Sequence, residues 1–332
     1  MKNQNKSRVS PVVVLFSLVC LAFLTNACEP VEPVDEFETL RDHLDMVLDD
    51  MAPTKGATDV KMIVDDPTES AKYEIVSVRS NEHYLTGHVP GAINIPWRTI
   101  ADDDSLAMLD MTMPAIVYCY TGHTGQVAQT VLSALGYESY NMKFGMMGWT
   151  DDPDVLNTTP FDCAPPNYDV ETMSNDLPAD NALPVIDTGE TEAEDIAKMQ
   201  AQTYLSGGMA PVKAATDVKM IIDDPMESAE YTIVSVRSNE HYLTGHVPGA
   251  INIPWRTIAE EDNLKMIPAD KPVIVYCYTG HTGQVAATVL NILGYEAYNM
   301  KFGMMGWTDD PDVLNTTPFD CAPPNYDVET GP

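Results

Sequence analysis

The chain contains one long sequence twice. Residues 51–172 align without a gap with residues 209–330, and 102 of the 122 aligned positions are identical. A repeat of this length is far longer than a solenoid unit and is typical of a duplicated domain. The sequence therefore predicts two similar domains, at 36–172 and 190–332, joined by an acidic linker at 173–189 that shows no periodicity.

The N-terminal residues have the composition of an export signal. Lys2, Lys6 and Arg8 precede the apolar segment 11–24, which is shorter than the ~20 residues needed to span a membrane comfortably. An alanine followed by Cys28 comes soon after this segment and resembles a bacterial lipobox.

These features predict a signal peptide at 1–28, a lipidated Cys28 and a stiff, charged tether at 29–35. They predict an extracytoplasmic protein that is lipid-anchored to the bacterial cell envelope, in the periplasm or at the cell surface. Secretion without lipid, and retention of the segment as an uncleaved anchor, are the alternatives.

The charge of the chain limits its partners. Its 50 acidic residues outnumber its 18 Lys and Arg residues, for a net charge of −32. Such a surface repels nucleic acid and anionic lipid headgroups. We therefore expect no nucleic-acid partner and contact with a membrane only through the lipid anchor. The sequence carries no signal for the oligomeric state.

The hydrophobic pattern of each copy alternates between strand and helix periods. The first copy predicts strands at 73–78, 92–95, 115–118 and 140–144, a helix at 126–135 and a helix capped by Thr58, and the second copy repeats these 158 residues later. Amphipathic helices at 37–51 and 193–204 precede the copies and should cap them. This order predicts an α/β fold in which each domain is an open, mostly parallel sheet with helices on both faces.

A cysteine-centred loop follows the third predicted strand of each copy. The two loops are Cys119, Tyr120, Thr121, Gly122, His123, Thr124 and Gly125, and Cys277, Tyr278, Thr279, Gly280, His281, Thr282 and Gly283. A thiol between a buried strand and a helix N-terminus lies at the carboxyl edge of the sheet, near backbone N–H groups and the positive end of the helix dipole. Such surroundings favour a thiolate and a second anionic sulfur bound to it. We therefore predict Cys119 and Cys277 as nucleophiles; the alternative is an inert cysteine at a strand end.

Three segments of each copy resemble motifs of the rhodanese family. Residues 77–96, which read SVRSNEHYLTGHVPGAINIP, are similar to the N-terminal signature of rhodanese domains. The cysteine loop resembles the six-residue active-site loop, and 143–149, KFGMMGW, resembles the closing segment. The motifs occur in order in both copies, so the chain is identified as a tandem rhodanese.

The resemblance implies a sulfurtransferase. The thiolates of Cys119 and Cys277 would attack the sulfane sulfur of a small anionic donor such as thiosulfate, sulfite would leave, and a thiol acceptor would take the sulfur from the cysteine persulfide. The N–H groups of residues 120–125 and 278–283 would stabilise the persulfide anion. The resemblance implies no metal or organic cofactor.

Several residues depart from the family pattern. Ser77 and His83 stand where acidic residues are usual, so Arg79 loses a usual carboxylate partner, although Glu82 is near in sequence. Many rhodaneses carry Arg or Lys in the loop, whereas this loop has His123, and His281 in the second copy. The imidazole is predicted either to bind the donor or handle protons, or to be a solvent-facing spacer. Cysteine phosphatases are a poor match because they need an arginine where this loop ends in glycine.

Two other functions follow from the same residues. A loop without a cation, on an acidic chain, also suits a persulfide carrier or interaction module without turnover. Cys163 and Cys321, in identical tail segments, could alternatively resolve thiol–disulfide exchange at the loops. Their pairing with each other, pairing with the loop cysteines, and free thiols all remain compatible with the sequence.

Overall fold

The computed structural model of the protein describes residues 34–175 and 180–332. The predicted signal peptide, the predicted lipidation at Cys28 and residues 29–33 of the predicted tether lie outside the described residues. Asp35, at the end of that tether, is the N-cap of the first helix, where its side chain accepts the Glu38 N–H at 3.0 Å. None of the described helices combines the length and the apolar character required to cross a membrane.

The two repeats have the same elements. The first contains α1 (Glu36–Asp50), β1 (Thr54–Lys55), α2 (Ala57–Asp65), α3 (Pro67–Ser70), β2 (Glu74–Ser77), α4 (Asn81–Thr86), β3 (Ile93–Asn94), α5 (Asp103–Leu106), β4 (Ala115–Tyr118), α6 (His123–Ala134), β5 (Ser139–Met142) and α7 (Pro153–Leu156), with 3₁₀ turns at Trp97–Thr99 and Gly145–Gly148. The second contains α8 (Ala193–Ser206), β6 (Val212–Lys213), α9 (Ala215–Asp223), α10 (Pro225–Ser228), β7 (Thr232–Ser235), α11 (Asn239–Thr244), β8 (Ile251–Asn252), α12 (Glu261–Leu264), β9 (Val273–Tyr276), α13 (His281–Ile292), β10 (Ala297–Met300) and α14 (Pro311–Leu314), with 3₁₀ turns at Trp255–Thr257 and Gly303–Gly306.

Each repeat builds a five-stranded parallel sheet, in the order β1-β5-β4-β2-β3 and β6-β10-β9-β7-β8. The α/β prediction is therefore confirmed. The edge strands β1 and β6 have two residues each and were not predicted, because so short a strand carries no periodicity. The α2 helix begins before the predicted cap Thr58, since the Asp59 carboxylate accepts the Gly56 N–H at 3.1 Å and so stabilises an earlier start.

The central strand β4 is buried on both faces, as its continuous apolar sequence predicts. Ala115, Val117 and Cys119 point into one apolar cluster, while Ile116 and Tyr118 point into a second on the opposite face. Both clusters contain residues of both repeats. The described residues from Val34 onward accordingly belong to one compact unit.

The helices that precede the copies lie between the two repeats. The α1 helix buries Phe37, Leu40, Leu44 and Leu48 at helical spacing and packs on α8 and α6. Its last carbonyls are satisfied from the second repeat, because Arg256 donates to the carbonyls of Leu48, Asp49 and Met51. We expected α1 to cap only the first domain, but it also contacts the second repeat.

The same contact occurs in the opposite direction at α8. Arg98 of the first repeat donates to the Leu205 carbonyl at 2.8 Å and to the Met209 carbonyl at 3.1 Å. Each repeat therefore supplies the arginine that caps the C-terminal end of the helix that precedes the other repeat.

The tails after α7 and α14 are exchanged between the repeats. The indole N–H of Trp149 donates to the Asp327 carbonyl at 3.0 Å, and that of Trp307 donates to the Asp169 carbonyl at 3.1 Å. A disulfide joins Cys163 to Cys321, with their Cα atoms 6.3 Å apart. Of the three states of these cysteines that the sequence left open, the structure has the one in which a disulfide crosslinks the two tails.

Candidate active site

The two predicted nucleophiles are in equivalent positions at the ends of the central strands. Cys119 follows β4, and the Gly122 N–H donates to its Sγ at 3.1 Å; Gly280 does the same for Cys277, also at 3.1 Å. Gly122 has a φ of 90°, which turns the chain from the strand into α6 and favours glycine. Both thiols are free, and each cysteine is 1% exposed.

Backbone and amide hydrogen bonds fix the conformation of each loop. The Met146 N–H donates to the Cys119 carbonyl and the Met147 N–H to the Tyr120 carbonyl, both at 2.9 Å. Asn141, at the end of β5, donates from Nδ2 to the Gly122 carbonyl at 2.9 Å. The neighbouring strand and the closing segment therefore orient the Sγ atom.

The tyrosine of the loop is part of a small polar cluster. The Tyr120 hydroxyl is hydrogen-bonded to Nδ1 of His83 at 2.7 Å and accepts the Ser80 N–H at 3.2 Å. The Arg79 guanidinium lies 5.6 Å from the Tyr120 ring centroid. Tyr278 has the same contacts with Ser238 and His241.

Backbone carbonyls take the place of the missing carboxylate partner of Arg79. Its guanidinium is buried and donates to the Val155 carbonyl at 2.9 Å and to the Gly87 carbonyl. Burial lowers the pKa of Arg79. Arg237 makes the equivalent contacts, so each arginine holds the helix α7 or α14 against its domain.

The loop histidines join the two sites. Nε2 of His281 accepts the Phe144 N–H of the first repeat at 3.0 Å, and Nε2 of His123 accepts the Phe302 N–H of the second at 3.1 Å. The two imidazoles stack with centroids 6.1 Å apart. A Cβ at Gly122 would lie 2.6 Å from Nε2 of His281, so glycine is required for this close approach. The two cysteine loops therefore face each other across the interface of the repeats.

These contacts determine the charge and tautomer of the histidines. His123 and His281 are 3% and 4% exposed. Burial, with a contribution from Lys143, lowers the pKa of His281 to about 3, and burial also lowers that of His123. Since Nε2 accepts, the proton of each neutral ring is on Nδ1, which lies 3.0 Å from Thr121 Oγ1 in the first loop.

The expectation of a solvent-facing histidine is therefore wrong, because interdomain packing covers the ring. The other expectation was a histidine that binds the donor or handles protons. Both nitrogens of each ring already have hydrogen-bond partners within the protein.

The remaining predicted loop residues lie around each thiol. Thr121 and Thr279 bond the histidines, Thr124 and Thr282 are half-buried, and Gly125 and Gly283 pack against asparagine side chains where a Cβ has no room. The tail cysteines do not reach the loops as resolving thiols here, since they are bonded to each other. Within residues 34–175 and 180–332, no group of three or more His, Cys, Asp or Glu side chains is placed to hold a metal ion.

Sequence reasoning assigned no role to three residues near each thiol. Asn141, Lys143 and Phe144 all follow or end β5, and the counterparts are Asn299, Lys301 and Phe302. Phe144 has a φ of 65°, a left-handed conformation that is rare for a bulky residue. The sequence carries no local signal for this conformation.

Both domains match a known protein family. Residues 60–152 and 220–310 match the rhodanese-like domain family. Thiosulfate sulfurtransferase PspE of Escherichia coli is 34% identical over 83 residues, which are 25% of this chain and 79% of that protein. The HTH-type transcriptional regulator Rv0324 of Mycobacterium tuberculosis is 32% identical over 128 residues, 34% of this chain and 56% of that protein, so the chain spans little more than half of it.

Among solved structures, the 3-mercaptopyruvate sulfotransferase SseA of Escherichia coli is 21% identical, covers 75% of this chain and 98% of its own, and has a TM-score of 0.29. The family match extends over more than half of the chain and includes both cysteine loops. The chain therefore belongs to the rhodanese-like family, as a protein with two tandem rhodanese-like domains.

Proposed function

We propose that the protein is a sulfurtransferase that moves sulfane sulfur from thiosulfate or a persulfide donor to a thiol acceptor. The observation that carries this proposal is the position of each free cysteine, at the end of a central parallel strand with a glycine N–H on its Sγ. A helix N-terminus and backbone donors at this place stabilise an anionic sulfur. Similarity to thiosulfate sulfurtransferases supports the same chemistry.

The reaction has two half-reactions at each cysteine. The thiolate of Cys119 attacks the sulfane sulfur of thiosulfate, the S–S bond of the donor breaks, and sulfite leaves with the electron pair. The acceptor thiolate then attacks the outer sulfur of the persulfide, and the Cys119 thiolate is restored. Cys277 performs the same steps, and neither half-reaction needs an oxidant or a cofactor.

Burial of the thiols favours a second function. With each cysteine 1% exposed, the donor reaches Sγ only when the closing segments or the facing loop move. A site that opens rarely would store a persulfide rather than turn it over. A persulfide carrier is therefore the alternative function.

Turnover and mass measurements on the full chain separate the two functions. A sulfurtransferase releases sulfite continuously from thiosulfate in the presence of cyanide, and the Cys119→Ser/Cys277→Ser double variant loses this activity. A Cys163→Ser/Cys321→Ser variant is the matched control and keeps it. A carrier gains the mass of one sulfur atom per loop without steady turnover. Full turnover by the loop double variant would refute both functions.

We also propose that the mature protein is extracytoplasmic and anchored by lipid at Cys28. The signal-like residues support this location, and so does the Cys163–Cys321 disulfide, because disulfides persist in oxidising compartments. Mass spectrometry of the N-terminal peptide from membrane fractions should find a diacylated Cys28, which Cys28→Ala abolishes. An unmodified N-terminus at another residue would contradict the anchor.

A further inference from the structure

A lysine precedes the residue by which each domain contacts the opposite cysteine loop. Lys143 follows β5, and its N–H donates to the Lys55 carbonyl at 2.8 Å. The next residue, Phe144, donates its N–H to His281 at 3.0 Å and packs its ring against that imidazole, with centroids 5.0 Å apart. His281 lies four residues after Cys277. The closing segment of the first domain therefore lies against the loop of the second, and Lys301 is in the equivalent position.

Some of the described lysines have carboxylate partners, whereas Lys143 and Lys301, like Lys55, Lys213 and Lys271, have none. Among the described residues, ion pairs with carboxylates are made by Lys61, Lys72, Lys198, Lys219 and Lys265. Lys143 and Lys301 are half-buried, and neither has a carboxylate within the same 4.0 Å limit in the described parts of the chain. In a chain with 50 acidic and 18 Lys and Arg residues, an ammonium without a carboxylate is available to another anion.

Each lysine lies beside the ring that packs on the loop of the other domain. Nζ of Lys143 is 5.1 Å from the centroid of the Phe144 ring, which packs on His281. Nζ of Lys301 is 5.1 Å from the centroid of the Phe302 ring, which packs on His123. Burial lowers the pKa of Lys143, and the negative charge of Cys277 opposes that change. Burial lowers the pKa of Lys301, and Cys119 opposes it in the same way. The charge of each lysine therefore acts across the interface.

We propose that the two sites are completed in trans, with Lys301 as the cation that attracts and holds an anionic sulfur donor at Cys119 and Lys143 as the cation at Cys277. The proposal rests on the proposed sulfur transfer. It explains how a loop without arginine or lysine can bind a dianion on an acidic protein, since the positive charge comes from the facing domain. The ligand class is a small anion that carries sulfane sulfur.

The crossed arrangement can be tested in full-length protein with one loop thiol. In a Cys277→Ser background, only Cys119 reacts. There we expect Lys301→Gln, which keeps most of the aliphatic stem, to raise the KM for thiosulfate about tenfold. Lys143→Gln should cause a smaller loss, and Lys301→Arg should restore most of the affinity. Lys265→Gln, which removes the same charge from the surface of the second domain, is the matched control.

The reverse background gives the decisive comparison. With Cys119→Ser, the larger effect should move to Lys143→Gln. Equal effects of the two lysine variants in both backgrounds would overturn the proposal, and so would a larger effect of each lysine on the cysteine of its own domain. Effects on kcat alone, with KM unchanged, would also overturn the assignment of these lysines to donor binding.

A measurement without a donor distinguishes this proposal from the proposed function. The rate of alkylation of the remaining loop thiol by iodoacetamide, followed against pH, reports the ionisation of the thiol. We expect Lys301→Gln to raise the midpoint for Cys119 more than Lys143→Gln does. If this shift occurs but thiosulfate is never turned over, the trans cation stands and the proposed reaction is wrong. If turnover occurs without the crossed shift and the crossed KM effect, the trans cation is wrong and the reaction stands.

Discussion

Acid should destabilise the interface of the two domains through its buried histidines. Burial lowers the pKa of His281 in the folded protein to about 3, from an ordinary value of 6.5. Between these values the unfolded chain binds the proton and the folded chain does not. Stability is therefore fully present above about pH 6.5 and is lost as the pH falls toward 3. Protonated Nε2 could no longer accept the Phe144 N–H, so two donors would face each other.

The size of the effect follows from the same shift. At pH 5, His281 is still neutral in the folded protein but protonated in the unfolded chain. The free energy of unfolding is therefore about 2 kcal/mol lower at pH 5 than at pH 8. His123 adds to the loss in the same direction, because burial also lowers its pKa. In acid the net negative charge of −32 decreases in magnitude. The weaker repulsion between like charges stabilises the fold and so acts against this loss.

Urea unfolding at about pH 7.5 and about pH 5 measures this difference. The fluorescence of Trp149 and Trp307 is a suitable signal, since both indoles are buried and hydrogen-bonded to the exchanged tails. The control is His123→Gln/His281→Gln, whose amide oxygens accept without titrating. We expect this variant to lose less stability on acidification than the wild type. An equal loss in both proteins would refute the reasoning.

Three further predictions concern the crosslink, the helix caps and the loop. Cys163→Ser opens a loop of 158 residues and should cost about 3–5 kcal/mol in urea titrations; stability equal to that of the oxidised wild type would contradict this. Arg256→Met removes the donors at the end of α1 and should cost about 1–3 kcal/mol, while a loss no greater than that of the exposed Lys72→Met would count against it. Asn141→Ala frees the Gly122 carbonyl and should lower kcat for sulfur transfer about tenfold with little change in KM; unchanged kcat would show that this bond does not position the thiol.

Much of the fold could be predicted because its signals are local. The run at β4 is apolar at every position, and the structure buries all four of its residues. The spacing of Phe37, Leu40, Leu44 and Leu48 gave α1 to within one residue at each end. The helix after the cysteine begins at His123, three residues before the predicted start, because polar and glycine residues of the first turn carry no hydrophobic period.

The role of the loop histidine could not be predicted. In sequence, His123 is a polar residue in a glycine-rich loop, and burial there depends on a group far along the chain. Its partner, the Phe302 N–H, is 179 residues away. No spacing rule relates residues at that distance, so the sequence alone left donor binding and solvent exposure as the two readings.

The sequence by itself determined the duplication, the parallel α/β domains and the place of each thiol at a strand end, because these follow from repeated local patterns. Only the tertiary structure decided that the two loops face each other, that the tails are exchanged and crosslinked, and that the closing segment of each domain contacts the loop histidine of the other. The physical reason is that packing between two nearly identical domains brings together groups that are remote in the chain. The surroundings of each cysteine loop are therefore a property of the pair of domains.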